Sequence, residues 1–264
     1  MNTKFYILLL IAFFTSSKLS SQSISTLKYD AEYKNDPWSQ NKLGLAYENG
    51  EGVAKNANTA FSWFQKAANN GYKYAFYNLG RYYQYGLSVQ KDISKAFSMY
   101  EQAANQGDMY GARNLAYKYK YGNGVQRDIN KAVFWFEKSA LHNDETSYQE
   151  LIYAYSDLKD NSSLYRVASK GCELHFKSCM NTLAYCYAKG EGVPVDFKKA
   201  ISIINEAISI YPNDPNLYDS KGEILWLKGS KKDAKRMWEQ VKSMSPTFYQ
   251  EFDSELNKYI RSQN

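Results

Sequence analysis

The stretch from Tyr74 to Asp108 reads YAFYNLGRYYQYGLSVQKDISKAFSMYEQAANQGD and decides the fold, because its pattern recurs at a fixed interval. Its landmarks are Leu79-Gly80, Tyr83, a glycine turn, and a second apolar run that ends in Ala103-Ala104. The same landmarks return 36 residues earlier, with Leu43-Gly44, and 36 residues later, with Leu115-Ala116. Repeats of this length predict stacked pairs of helices, in which each pair buries its apolar face against its neighbours.

Punctuation inside each repeat predicts where the helices begin and end. A first helix runs up to the tyrosine, the glycines turn the chain, and a second helix follows an Asp or Asn whose side chain accepts a hydrogen bond from the first turn. These expected N-caps are Asn56, Asp92, Asp128 and Asp196. Gly71, Gly107 and Asn143 stand where a helix ends in a left-handed residue, a conformation that glycine and asparagine tolerate.

Two repeats are shorter than the others. The fourth lacks the glycine loop, so that Ile152 precedes Leu164 by 12 residues, whereas Gly44 precedes Ala60 by 16. The fifth restores the long form, and the sixth is short again. We therefore predict an all-α fold, a right-handed α-solenoid of about six helix-turn-helix repeats over residues 37–246. Residues 247–264 are expected to form a capping helix, with apolar side chains at Phe248, Phe252, Leu256 and Ile260.

These motifs resemble those of the Sel1-like repeat (SLR) family, a relative of the tetratricopeptide repeat. The family's L-G-x-x-Y, G-x-G-V, K-A and A-A-x-x-G elements are all present, and the resemblance extends roughly from Pro37 to Pro246. It implies a helical-repeat scaffold that binds protein partners. The two short repeats have the tetratricopeptide length.

The N-terminus carries an export pattern. Lys4 is followed by an apolar stretch from Phe5 to Phe14 and a serine-rich tail, which together predict a secretory signal peptide over residues 1–21. An apolar run of about ten residues is half of what a membrane-spanning helix needs, so we expect no stable membrane anchor. Residues 22–36 are polar and predict a tether or a partly ordered lead-in. The protein is thus expected in the periplasm or the medium.

The three cysteines stand close together, at Cys172, Cys179 and Cys186. The first two resemble the within-repeat disulfide of the cysteine-rich secreted SLR proteins of bacteria, and that resemblance implies a bridge between Cys172 and Cys179. Cys186 follows Cys179 by about 10.5 Å along one helix, too far for a disulfide. The alternative is three reduced thiols packed in the core.

Signals for catalysis, metals and cofactors are weak. The chain has two histidines, His142 and His175, neither spaced with a second metal donor. Two S-x-x-K matches, which begin at Ser25 and Ser156, lack the K-T-G and S-D-N elements that penicillin-recognising enzymes add. We predict no catalytic site, metal or cofactor. The competing hypothesis is a cell-envelope enzyme of the β-lactam or peptidoglycan type, as suggested for some cysteine-rich SLR proteins. A host-directed secreted effector is a third.

A formal net charge of +6, without Lys/Arg runs, does not predict nucleic-acid binding. A protein or peptide partner is favoured instead, and the composition leaves the oligomeric state open. In the related tetratricopeptide repeats, positions two, five, nine and twelve of the first helices line the concave face. Mapped onto this chain, they predict an aromatic and basic binding surface, because Tyr and Arg are enriched at binding hot spots. Its residues are Trp38, Tyr74, Tyr77, Arg81, Tyr110, Arg113, Tyr117, Lys120, Tyr153 and Tyr185. Asn41, Leu45, Glu48, Gln84, Gln149 and Asn181 occupy the same positions in neighbouring repeats.

Overall fold

A computed structural model describes residues 24–245, and in that range the protein consists of helices and the turns between them. The predicted signal peptide and the predicted capping helix lie outside these residues. The helices are α1 (24–33), α2 (Pro37–Asn49), α3 (Ala57–Asn69), α4 (Lys73–Tyr85), α5 (Ile93–Asn105), α6 (Met109–Tyr121), α7 (Ile129–Ala140), α8 (Glu145–Asp157), α9 (Asn161–Glu173), α10 (Lys177–Lys189), α11 (Phe197–Ile210), α12 (Pro215–Leu227) and α13 (Lys231–Met244).

Helices α2 to α13 form six successive pairs, in which the even-numbered member is the first helix and the odd-numbered member is the second. The described residues divide after His142 into two compact units. In unit 1 each helix from α2 to α7 packs on the next, and in unit 2 the same holds from α8 to α13. The prediction of an all-α fold built of helix-pair repeats is confirmed. Among the described residues, no helix is long and apolar enough to cross a membrane.

The predicted N-caps are confirmed. Asn56, Asp92, Asp128 and Asp196 each accept a hydrogen bond from the backbone N–H three residues on, at 2.9 to 3.0 Å. The long loops before them begin at a left-handed glycine, as at Gly86 with φ of 69°. Local sequence signals therefore fix both ends of these turns.

The short repeats close their turns differently. Helix α8 ends at Asp157 and α9 begins at Asn161, so that three residues replace the seven between α4 and α5. The left-handed residues of the short turns are Lys159, with φ of 55°, and Gly229, with φ of 90°. The shortened loop predicted for the fourth repeat is confirmed.

The recurring tyrosine is a structural residue, as expected. Tyr83, Tyr119 and Tyr187 lie two residues before the ends of their first helices and are half-buried or buried. In each case a lysine of the next helix covers the ring. The lysine is Lys95, Lys131 or Lys199, with Nζ 5.1 to 5.5 Å from the ring centroid. The backbone N–H of the same lysine is the one that the N-cap binds. The same lysine therefore has two roles. Its backbone N–H completes the helix cap, and its charged side chain is attracted to the face of the tyrosine ring.

The segment before Pro37 differs from the expectation of a polar lead-in. Residues 24–33 are helical, and Ala31 is buried in a cluster with Leu43 and Trp63, against which Leu27 packs. The Gln40 side chain donates a hydrogen bond to the Ala31 carbonyl oxygen at 3.1 Å. Leu27 and Ala31 form a one-residue-wide apolar stripe, which is too narrow to stand out in a polar sequence.

Candidate interaction surface

Position two of the first helices carries the most exposed of the predicted aromatic residues in unit 1. Trp38 is 50% exposed, and Tyr74 and Tyr110 are each 39% exposed. Each ring has a cation near its face, at 5.7, 5.1 and 5.5 Å from the centroid respectively. These cations are Lys42, Lys73 and Arg113. The three aromatic residues, one per repeat, are named here the aromatic row.

Tyr77 lies behind the aromatic row. Its ring centroid is 5.4 Å from that of Tyr110 and 6.0 Å from that of the fully buried Tyr100. Burial raises the pKa of the Tyr77 hydroxyl above its ordinary value, so this side chain stays neutral. The Tyr77 ring therefore packs against the Tyr110 ring and limits the orientations that Tyr110 can take.

Arg81, one of the basic residues of the predicted surface, is already paired within the protein. Its Nη2 lies 3.2 Å from Oε1 of Glu48 on the preceding first helix, and both side chains are half-buried. The charge of Arg81 is thus largely compensated before any partner arrives. The pair joins α2 to α4, beside a second polar link in which Asn78 Nδ2 donates to Asn41 Oδ1 at 2.9 Å.

The predicted residues on α6 are half-buried apart from Tyr110. Tyr117 packs edge-on against Phe136 at 5.2 Å and lies parallel to Tyr121 at 6.1 Å between ring centroids. Arg113 covers the Tyr110 ring, and Lys120 covers that of Tyr121 at 5.3 Å. The structure brings these residues to one helix, where their rings and cations hold one another in place.

The two predicted surface tyrosines of unit 2 differ in their exposure and in their hydrogen-bond partners. Tyr153 is exposed, and its hydroxyl accepts a hydrogen bond from Gln149 Nε2 at 3.0 Å. Tyr185 is half-buried and donates to Glu223 Oε2 at 2.7 Å. Burial, and next the Glu223 charge, raise the pKa of Tyr185.

The prediction missed two acidic residues of the sixth repeat. Asp219 and Glu223 occupy positions five and nine of α12, the positions that define the predicted surface in other repeats. Burial and then the nearby Glu223 charge raise the pKa of Asp219 to about 6. The signal was available, because extending the same two columns by one repeat reaches both residues.

The three cysteines are free thiols within residues 24–245, so the bridge implied for Cys172 and Cys179 is not formed here. The two thiols face different neighbours. Cys172 packs against the cluster around Met180 and Ile204, while the Cys179 sulfur lies against Gly171. Burial raises the pKa of Cys179 to about 12 and that of Cys186 to about 11, which makes both thiols poor nucleophiles.

No group of three or more His, Cys, Asp or Glu side chains able to hold a metal ion occurs in the part of the chain that the structure describes. His175 Nδ1 lies 3.6 Å from Glu206 Oε1, and both side chains are exposed. Of the two S-x-x-K matches, the lysine of the first, Lys28, lies over the Tyr47 ring at 5.9 Å. Ser156 and Lys159 of the second are exposed.

The geometry defines a helix-pair repeat protein whose variable side chains lie in columns on the first helices. The Sel1 repeat model matches residues 39–72, 74–108, 110–144 and 177–207, about half of the chain. The protein therefore belongs to the Sel1 repeat family, whose members are generally protein-interaction scaffolds. The matched ranges leave out most of the fourth repeat and the sixth, the two with short turns.

Two solved structures, each with a TM-score above 0.6, have a similar fold, and a third matches only part of the chain. A Sel1 repeat protein from Oxalobacter formigenes is 26% identical, covers 85% of this chain and 99% of its own, and has a TM-score of 0.66. The protective antigen c5321 of uropathogenic Escherichia coli, which displays an SLR fold, is 22% identical over 91% of this chain, with a TM-score of 0.67. This match covers 52% of the antigen's chain. Helicobacter pylori cysteine rich protein B is 27% identical over 47% of this chain and 93% of its own, with a TM-score of 0.40. No curated protein sequence matches significantly.

Proposed function

We propose that the protein is an exported, non-enzymatic scaffold that binds a segment of a protein partner along its first helices, at the aromatic row. One observation carries this proposal. Trp38, Tyr74 and Tyr110 expose large aromatic surfaces at the same position of three successive repeats, although neither burial nor helix capping requires them there. Membership of a family of interaction scaffolds supports it.

The row is suited to binding because its side chains are held before a partner arrives. Tyr110 rests on Tyr77, and the Tyr74 ring lies 5.4 Å from that of Tyr72. Lys73, whose ammonium covers the Tyr74 ring, also donates a hydrogen bond to the Gly107 carbonyl oxygen at 3.2 Å. Ordering a side chain on binding costs about 0.5 to 1.5 kcal/mol, and this cost is reduced where the side chain is already fixed.

The proposal predicts that the triple variant Trp38→Ala, Tyr74→Ala, Tyr110→Ala loses its partner. The wild-type protein is used to capture proteins from an envelope extract of the source organism, and the captured partner is purified and titrated by calorimetry. Removing aromatic hot spots costs about 2 kcal/mol or more, so we expect affinity to fall at least about 30-fold.

The matched control is the double variant Tyr33→Ala, Tyr85→Ala, which removes two still more exposed tyrosines from other positions. It should bind as the wild type does. Circular dichroism of all three proteins checks that the fold is kept. Equal binding by the triple variant and the wild type would contradict the proposal.

Export is the second part of the proposal, and the pattern of residues 1–21 supports it. Signal peptidase removes such a segment during secretion. We expect the intact mass of the protein recovered from the envelope or medium of its host to correspond to a chain that begins near Gln22. Recovery from the cytosol of a chain with an intact N-terminus would contradict export.

A further inference from the structure

Lys118 is a charged residue at a core position. It is the tenth residue of α6, and the tenth residues of the other first helices are buried and uncharged. Those residues are Ala46, Tyr82, Ala154, Cys186 and Ile224. Lys118 is equally buried, with 5% of its surface exposed. The Lys118 ammonium nitrogen itself keeps some contact with solvent. Holding a charge in a largely buried residue without an ion-pair partner is nevertheless costly, so an apolar residue would serve the fold better at this position.

Among the residues that the structure describes, no carboxylate pairs with the ammonium of Lys118. Its ammonium lies 5.9 Å from the centroid of the Tyr100 ring, and no hydrogen bond or ion pair joins it to any residue between 24 and 245. The charged group that acts on it is another cation, Lys91, in the loop between α4 and α5. Burial first, and then Lys91, lower the pKa of Lys118.

In the preceding repeat, a carboxylate lies near the residue that is equivalent to Lys118. There, Glu48 at position twelve of α2 supplies a carboxylate that pairs with Arg81 and acts on the tenth-position residue, Tyr82. One repeat later, position twelve of α4 holds the neutral Gln84. The Gln84 Oε1 atom and the Tyr100 hydroxyl are both buried without a hydrogen-bond partner. The carboxylate found in one repeat is thus absent from the next, while a buried cation has been added.

We propose that the Lys118 ammonium, between α4, α5 and α6, is a binding site for a carboxylate group that arrives with a ligand. The exposed Lys91, in the loop between α4 and α5, provides a second positive charge close enough to act on Lys118. The ligand carboxylate supplies, beside Lys118, the negative charge that Glu48 supplies in the preceding repeat. This site does not depend on the aromatic row and can be tested without any protein partner.

Sodium acetate is the first probe. It is titrated into the full-length protein carrying ¹³C at the lysine ε-carbons, with sodium chloride holding ionic strength constant. The Lys118 resonance, identified by its loss in Lys118→Met and independently in Lys118→Arg, is expected to shift in a saturable manner. Lys131, which also covers a tyrosine ring but is exposed, is the internal control and should not saturate. A Lys118 shift that stays linear in acetate overturns the proposal.

Three further probes test the ligand class and its source. A blocked peptide with one glutamate side chain and a peptide with a free C-terminal carboxylate distinguish two sources of the same group, and saturation by either supports the site. Inorganic phosphate tests the chemistry. Tighter saturation by phosphate than by every carboxylate probe would overturn the assignment to a carboxylate.

Stability separates this site from a merely structural lysine. Lys118→Met removes an unpaired and partly desolvated charge, so the melting temperature of this variant without ligand should equal or exceed that of the wild type. Acetate should raise the melting temperature of the wild type and not that of the variant. The acetate titration of the wild type remains decisive if the variant fails to fold.

Discussion

Gly80→Val is expected to lower the free energy of unfolding by about 3 kcal/mol, because the helix pair α4 and α5 is packed around the missing side chain. A Cβ atom at residue 80 would lie 2.6 Å from Cε1 and 2.7 Å from Cδ1 of Tyr100. The Tyr100 ring is fully buried and cannot move into solvent. Inserting methyl groups into a packed core costs about 1 to 3 kcal/mol. Valine also recovers little of the helix propensity that alanine would add.

Urea unfolding followed by circular dichroism measures the effect. Gln102→Val, on the exposed side of α5, is the control and should change stability by less than about 0.5 kcal/mol. Tyr100→Ala alone should cost about 3 to 5 kcal/mol, because it empties a large core site. Combined with Gly80→Val it should cost clearly less than the sum, since the cavity accepts the valine methyl groups. If the two free-energy changes are additive, contact with the Tyr100 ring is not what restricts the size of the side chain at residue 80.

The same contact explains why the sizes of these two residues are related in the other repeats. Gly44 faces Phe64 and Gly222 faces Trp238 at similarly short distances from an added Cβ atom. In the fourth repeat the large residue, Ile152, stands in the glycine column, and the aromatic column holds Ala168. The total volume of the pair is thus maintained when the individual residues change, as close packing requires.

Features set by short stretches of sequence could be predicted from the sequence. The caps at Asn56 and Asp92, the left-handed glycines and the shortened turn after α8 depend on residues within one turn of each other. The repeat period supplied the pairing of helices without any structure. The helix α1 was not predicted, because its packing depends on two apolar side chains and on Gln40, nine residues after Ala31.

Whether a predicted binding residue is already paired within the protein could not be predicted from its position in the repeat. Position nine of α4 identifies Arg81 as variable, but its pairing with Glu48 depends on rotamers across two helices. Position ten is not one of the four columns that the sequence prediction considered, so the charge of Lys118 was missed. Periodicity therefore tells which face a residue occupies. It does not tell whether the charge on that face is already compensated.

Asp219→Asn is expected to stabilise the protein at pH 7 by about 2 kcal/mol and to flatten its stability between pH 4 and pH 7. Burial, and then the charge of Glu223, raise the pKa of Asp219 from 3.8 to about 6. The folded state therefore holds this proton more tightly than the unfolded state does. The resulting stabilisation is complete below about pH 3.8 and is lost as the pH rises through 6. A rise of this size corresponds to about 3 kcal/mol at most, because each pKa unit is worth about 1.4 kcal/mol.

The measurement is the melting temperature of wild type and variant at half-unit steps from pH 4 to pH 8. Asp233→Asn, at an exposed carboxylate on α13, is the matched control and should follow the wild type. The Asp219 charge is held at position five of α12, beside Glu223 at position nine, at a cost to the fold that asparagine would avoid. Such a cost is expected where a carboxylate serves binding rather than packing, since functional sites are where perturbed pKa values cluster. If the melting temperatures of the wild type and Asp219→Asn change in parallel over this pH range, Asp219 titrates normally. The argument for a functional role of Asp219 would then fail as well.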